Sequence, residues 1–315
     1  MVLFLSEADV LKVLTVEEAV AVLEATLRDQ GLGRAVSLPR QQVRTERGLF
    51  HLKAGATPGW LGFKAYTIFA GGERFHCLLF DGQTGELRAV IQADHLGRLR
   101  TGAAGAVAAR HLARPDADRA AIFGSGRQAE AQLIALAATR KLREVRVFSP
   151  NPNHRSNFAA RMSARLGIPV VPAADPAEAA AGADIIVTAT TSPGPVVQGA
   201  WLRAGCHVNV IGATGRLRRE LDVEAWGRAD RIFVDSVEQC RLDSGDLLAA
   251  TEAGVVAWEA VAELGWVVAG LRPGRRSDAE ITVFRAGGLG LWDVAVAARV
   301  YELARARGLG REINL

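Results

Sequence analysis

Residues 120–130 read Ala120-Ala121-Ile122-Phe123-Gly124-Ser125-Gly126-Arg127-Gln128-Ala129-Glu130, and this stretch decides the fold. Four apolar residues of strand length run into a Gly-x-Gly-x-x-Ala turn, and a helical pattern follows to about residue 139. Strand before and helix after make the pattern specific. Gly124 permits the tight turn, Gly126 leaves room for a pyrophosphate against the backbone, and Ala129 lets helix and strand approach. The start of the new helix offers unbonded amide N–H groups and the positive end of its dipole to phosphate. Gly124, Ser125, Gly126, Arg127 and Gln128 are therefore candidate cofactor-binding residues.

Downstream, short buried runs at Glu144–Phe148, Val170–Val171, Ile185–Thr188, Val208–Ile211 and Ile232–Val234 alternate with helical segments, the grammar of a doubly wound parallel sheet. Upstream, Thr15 with Glu18 reads as a capping box opening an amphipathic helix to about Gln30. Short β-prone segments follow at 36–44, 49–54, 62–69, 75–80 and 86–92, with Asp81-Gly82-Gln83-Thr84-Gly85 as a hairpin loop. An Ala-rich helix at about 94–112 closes this first unit. The final helix, about Trp292–Arg307, comes after the parallel sheet is complete and is expected to return to the first domain. The expected division is thus 1–114 with 292–315, and 115–291.

The 315 residues are 49% apolar and 23% charged, enough to bury a full core. No apolar run approaches the roughly 18 residues of a membrane span, and no secretory leader is legible, so a cytoplasmic protein is expected. Cys77, Cys206 and Cys240 have neither disulfide nor zinc spacing. The net charge of +4 comes from arginines scattered among Asp and Glu rather than gathered with aromatics, which argues against nucleic acid as a partner. The six histidines show no metal-ligand spacing, and no metal is expected.

An NAD-binding chain would carry an acidic residue at the end of the second strand to hold the ribose hydroxyls. Here that segment is Ser149-Pro150-Asn151-Pro152-Asn153-His154-Arg155. Hydroxyl, amide and cation accept a 2′-phosphate, so NADP(H) is the expected cofactor, with NAD(H) as the alternative and Ser149, Asn151 and Arg155 as its contacts. A second cluster precedes the glycine loop. Lys64 is one of only four lysines and stands inside an apolar strand, where an isolated ammonium is costly; a buried anion would resolve that cost. Arg100, read at the start of the Ala-rich helix, faces the positive dipole end and calls for something negative. Arg40, in Leu38-Pro39-Arg40, is read equally well as a solvated strand edge.

These residues resemble the ornithine cyclodeaminase and mu-crystallin family over nearly the whole chain. The markers are Pro39-Arg40, Gly62-Phe63-Lys64, Leu99-Arg100-Thr101, the glycine loop, Ala183-Asp184-Ile185-Ile186, Arg219-Glu220-Leu221-Asp222, Val234-Asp235-Ser236, Ser244-Gly245-Asp246-Leu247, Thr282-Val283-Phe284 and Asp293. The resemblance implies a Rossmann domain joined to an α+β substrate and dimerisation domain built from both chain ends, and a homodimer. It implies that Arg40, Lys64 and Arg100 grip the carboxylate of an amino or imino acid. Thr101 and Thr190 are then further cofactor contacts, and Asp293, otherwise read as a helix cap, joins Lys64 and Arg100 as a catalytic candidate. The family holds cyclodeaminases, imine reductases, alanine and N-alkyl amino acid dehydrogenases, and the non-catalytic mu-crystallins. Where cyclodeaminases carry an Asp after the fifth strand this chain has Thr214, a substrate-binding candidate that cannot serve as a base at neutral pH. The implied reaction is NAD(P)H-dependent reduction of an α-imino acid such as pyrroline-2-carboxylate or piperideine-2-carboxylate.

Overall fold

The computed structural model describes residues 1–314. The chain forms two compact units, residues 1–101 with those from Gly288 onward, and Gly102–Gly287.

The first unit opens with β1 (Val2–Leu5), α1 (Glu7–Val13) and α2 (Val16–Gly31). Then come β2 (Val36–Ser37), β3 (Gln41–Arg44), β4 (Gly48–Thr57), β5 (Trp60–Phe69), β6 (Gly72–Asp81), β7 (Leu87–Gln92) and α3 (Asp94–Leu112). The second unit holds β8 (Arg119–Phe123), α4 (Arg127–Thr139), β9 (Glu144–Phe148), α5 (Pro152–Leu166), β10 (Val170–Pro172), α6 (Pro176–Ala180), β11 (Ile185–Thr188) and β12 (His207–Val210). It continues with α7 (Val223–Gly227), β13 (Arg231–Val234), α8 (Val237–Asp243), α9 (Gly245–Glu252), β14 (Val261–Glu263), α10 (Leu264–Val268) and β15 (Thr282–Arg285). The chain then returns to the first unit with α11 (Gly290–Ala306) and β16 (Arg311–Ile313).

The second unit is the expected doubly wound sheet, wholly parallel, in the order β10-β9-β8-β11-β12-β15-β13-β14. The order reverses between β8 and β11, and ligands of such sheets bind at the carboxyl ends of the strands flanking that switch. The glycine loop leaves β8 there.

In the first unit the sheet runs β16-β1-β7-β6-β5-β4-β2, with β3 also on β4. Three features differ from the sequence reading. The segment 36–44 is two strands, because Leu38-Pro39-Arg40 interrupts it and Pro39 has no N–H for a ladder. The sheet is not built from hairpins alone: β1 pairs β7 in parallel, and β16 pairs β1, so the two ends of the chain meet on one edge. The units divide at Thr101/Gly102 and Gly287/Gly288 rather than at 114/115 and 291/292. The physical reason lies in α3. Its later half packs against α4 with no room for a Cβ, which at Gly102 would lie 2.3 Å from the Ala131 carbonyl oxygen and at Gly105 2.1 Å from Gln132 Oε1. Arg140 and Asn209 add hydrogen bonds to the carbonyls of Ala109 and Gly105.

The capping box also moves. Thr15 Oγ1 caps α2 by accepting from Glu18 N, but the Glu18 carboxylate pairs with Arg299 of α11 at 2.8 Å. The reciprocal box stands on α1, between Ser6 and Asp9.

Candidate active site

The long strands β4, β5 and β6 alternate side chains between two faces. One face presents His51 and Lys53 from β4, Lys64 and Tyr66 from β5, and Phe75 and Cys77 from β6, in direct register: Lys53 opposite Lys64 opposite Cys77, His51 opposite Tyr66 opposite Phe75. His51, Tyr66 and Phe75 stack, with centroids 4.5 and 5.2 Å apart. The start of α11 lies on this sheet so closely that a Cβ at Gly55 would fall 2.5 Å from Leu291 N, and one at Gly290 2.4 Å from the Ala54 carbonyl oxygen. That approach delivers Asp293.

Asp293 is fully buried, and its Oδ1 accepts from Lys64 Nζ at 2.7 Å and from Arg100 Nε at 2.9 Å. The anion that Lys64 requires is thus in the first instance a carboxylate of the chain itself. Two sequence readings change here. Asp293 is not the cap of α11: it lies one turn inside, and Ser37 Oγ receives the Gly290 N–H instead. Arg100 is not at the start of its helix but well within it, over the Trp292 ring. Burial alone would raise the Asp293 pKa, but Arg100, Lys64 and Lys53 outweigh it and the net shift is downward. Burial and then Arg100 lower the pKa of Lys64. Burial pushes the Cys77 thiol up and keeps it neutral.

Arg40, half-buried, hydrogen-bonds the Tyr66 hydroxyl, whose pKa is raised, mainly by burial. Tyr66 and Lys53 were not singled out from the sequence. Lys53 had a visible signal, since it is another of the four lysines and also stands in a β-prone run. Its ammonium is buried, donates to the Gly288 carbonyl oxygen at 2.8 Å, and has its pKa lowered well below the usual lysine value by burial, Arg100, Lys64 and Arg40. Within the Lys64–Arg100–Asp293 cluster two buried polar atoms have no hydrogen-bond partner: Arg100 Nη1, a donor, and Asp293 Oδ2, an acceptor.

In the second unit the glycine loop has the form a dinucleotide needs. Gly124 takes φ +112°, and a Cβ there would meet the Ala189 carbonyl oxygen at 2.4 Å, so the turn is closed to other residues. At Gly126, the N-cap of α4, a Cβ would meet nothing within 4 Å, and no side chain caps the helix. The free N–H groups and the open approach suit a pyrophosphate. Gln128 Oε1 is buried without a partner. Beside the loop, Ser125 Oγ donates to Ser149 Oγ at 2.9 Å, Arg155 donates to the Ser149 carbonyl at 3.0 Å and covers the Phe148 ring, and Arg127 is exposed. The Asn151 side chain caps α5, accepting from Asn153 N and His154 N, which leaves it less available to a ligand than expected. Thr101 Oγ1 donates to the Gly97 carbonyl of its own helix, and Thr214 is exposed.

Glu220 holds the neighbouring strand ends. Wholly buried, it accepts from Thr188 Oγ1, Thr190 N, Gly212 N and Ala213 N, all within 3.1 Å, so one carboxylate fixes the exits of β11 and β12. Asp246 in turn accepts from Glu220 N and Leu221 N, while Ser244 caps α9. The sequence showed Glu220 only as part of a family marker.

Residues 2–308 match the ornithine cyclodeaminase/mu-crystallin family. The iminosuccinate reductase of Paracoccus denitrificans is 33% identical over 99% of this chain and 100% of its own. The Thermococcus litoralis Δ1-pyrroline-2-carboxylate reductase, solved with NADH and L-proline, superposes with a TM-score of 0.94 at 32% identity, covering 99% of this chain and 100% of that one. An archaeal alanine dehydrogenase dimer with bound NAD gives 0.94 at 34% identity, covering 100% and 99%.

Proposed function

The chain belongs to the ornithine cyclodeaminase/mu-crystallin family, and from that premise we propose that it is a nicotinamide-dinucleotide-dependent oxidoreductase that reduces an α-imino acid to the amino acid. The observation that carries this reading is the pair of unpartnered buried atoms, Arg100 Nη1 and Asp293 Oδ2. An α-imino or α-amino acid offers the complement on one carbon, a carboxylate to accept from the guanidinium and an N–H to donate to the free carboxylate oxygen.

Arg100 binds the substrate carboxylate, with Arg40 and Lys64 as its further cations. Asp293 Oδ2 accepts from the protonated imine nitrogen, stabilises its charge and keeps the carbon electrophilic, so that little further acid catalysis is required. Lys64, bonded to Oδ1 of the same carboxylate, exchanges the nitrogen proton. Gly124, Ser125, Gly126, Arg127, Gln128 and Thr190 bind the dinucleotide, which when bound supplies the hydride. Between the two dinucleotides we favour NADP(H). No carboxylate stands at the end of β9 to repel a 2′-phosphate, and Ser125, Ser149, Arg127 and Arg155 offer hydroxyls and cations there. Thr214 cannot supply the base that ornithine cyclisation would use.

We assign a homodimer formed through the outer face of the first sheet, where Val43, Phe50, Leu61 and Phe69 are exposed on the side opposite Lys53 and Lys64. Exposed apolar side chains gathered on one sheet face suit an association surface, and likeness to the archaeal dimer supports the assignment. No helix among the described residues is long and apolar enough to cross a membrane. We assign the protein to the cytoplasm.

The test is consumption of NADPH and of NADH with pyrroline-2-carboxylate, piperideine-2-carboxylate, and 2-oxo acids mixed with ammonia or methylamine. Reduction of at least one imine is the expected result. Release of ammonia from ornithine with catalytic amounts of oxidised dinucleotide, and no imine reduction, would overturn it.

A further inference from the structure

We infer that Glu220 positions the nicotinamide half of the dinucleotide without touching it, an inference that rests on the dinucleotide-binding part of the reading above. The two halves of such a ligand fall on opposite sides of the switch, here between β8 and β11. With the glycine loop after β8 on the pyrophosphate and the end of β9 on the adenosine, the exits of β11 and β12 are left for the nicotinamide and its ribose. Three strand exits meet there with no side chain between them. A Cβ on Gly124 would lie 2.4 Å from the Ala189 carbonyl oxygen, and one on Gly212 would lie 2.3 Å from Thr190 N and 2.4 Å from the Thr190 carbonyl oxygen. Ala189-Thr190 is thus held between the glycine loop and the segment after β12.

Glu220 locks this stack. Its Oε1 accepts from Thr190 N at 2.7 Å, and its Oε2 accepts from Thr188 Oγ1 at 2.8 Å, Gly212 N at 2.7 Å and Ala213 N at 3.1 Å. Arg285 donates to the Ala213 carbonyl, so the residue before Thr214 is gripped at both its N–H and its C=O. Glu220 is itself held, because Asp246 Oδ1 accepts from the N–H groups of Glu220 and Leu221 at 2.8 and 3.0 Å. Asp246 Oδ2 lies 3.8 Å from Arg285 Nε, and all three charged residues are buried. Donors meet both oxygens of Glu220, so a glutamine would turn its amide NH2 against one of them. Burying a carboxylate is costly, and N–H groups at strand ends can be satisfied by water instead. What the charge provides and water does not is one fixed geometry for Thr190 and Ala213, in the two loops assigned to the nicotinamide. Hydride transfer depends on such positioning of the reacting ring.

The experiment separates the two halves by calorimetric titration. ADP or its 2′-phosphate, which carries adenosine and pyrophosphate but no nicotinamide nucleoside, is compared with the whole oxidised dinucleotide. Glu220→Gln is expected to bind the fragment within about twofold of the parent, but the dinucleotide about tenfold or more weaker, the scale of one hydrogen bond to a charged group. Its kcat for imine reduction at saturating dinucleotide should also fall about tenfold or more. Thr188→Val removes a single donor from the same carboxylate and keeps the side-chain shape. It should move dinucleotide affinity and kcat the same way by roughly two- to tenfold, and it decides the matter if Glu220→Gln does not fold. Equal weakening of fragment and dinucleotide assigns Glu220 to the fold alone and overturns the inference, as do unchanged dinucleotide affinity and kcat in the variants. If the parent binds neither fragment nor dinucleotide, the underlying reading falls as well.

Discussion

The two candidate sites are made in opposite ways. In the second unit the binding feature is absence: Gly124 and Gly126 remove side chains so that backbone N–H groups face an open approach. In the first unit it is excess, with three buried cations gathered around one buried carboxylate. A site made of backbone costs the fold little, because the glycines satisfy their own local geometry. A site made of buried charge costs stability until its ligand arrives. Function and stability should therefore separate differently in the two regions under mutation.

The largest effect is expected from Arg100→Met. It removes the donor proposed for the substrate carboxylate and one of the two hydrogen bonds to Asp293 Oδ1. Losing one charged contact costs about ten- to a hundredfold in kcat/KM, and the weakened Asp293 pairing should take the loss to roughly a thousandfold. Dinucleotide affinity, read by fluorescence titration, should stay within about twofold. Asp293→Asn should come next, lowering stability by about 3–5 kcal/mol in denaturant melts, since it leaves Lys64, Arg100 and Lys53 without their shared counter-charge.

Gly126→Ala gives the converse. Nothing lies near the added methyl in the folded chain, so unfolding should shift by no more than about 0.5 kcal/mol, while dinucleotide affinity should fall about tenfold as the phosphate approach is obstructed. If Gly126→Ala instead destabilises the fold as much as Asp293→Asn, the contrast between the two regions is broken.

Lys53→Met should raise the stability of the ligand-free protein by about 1–4 kcal/mol at neutral pH. The sign follows from its lowered pKa. Between the folded value and the ordinary lysine value the unfolded chain binds the extra proton, so Lys53 destabilises the fold in that window. The gain should shrink as pH rises through 10.5, above which the amine is neutral in both states. The smallest effect is expected at Arg155, which is partly solvent-screened: Arg155→Ala should reduce a preference for NADPH over NADH about two- to fivefold, measured by paired titrations.

How much of this was legible in the sequence also divides by region. The parallel sheet and its glycine loop were readable because each strand is a short apolar run and the loop's function lies in residue types that are adjacent in the chain. The first unit was readable in its hairpins and in Lys64, whose type contradicts its surroundings. Its other parts depend on contacts between distant segments. Asp293 meets Lys64 across 229 positions, and Lys53 meets Gly288 across 235. No local pattern could show that Asp293 would serve as the counter-ion rather than as a cap. The strands β1 and β16 are short and pair only because the chain ends come together, and Glu220 looked like one acid among many until four donors converged on it.

The central claim is that Arg100 Nη1 and Asp293 Oδ2 recognise the carboxylate and the nitrogen of one substrate. It is tested most directly by a ligand series on protein saturated with oxidised dinucleotide: the amino acid formed by the best imine, its α-carboxamide, and the acid lacking the amino group. Removing either group should weaken binding at least about tenfold, with the carboxamide losing its dependence on Arg100 and the deamino acid its dependence on Asp293. Equal affinity for all three ligands, or a carboxamide as sensitive to Arg100→Met as the parent acid, would contradict the account.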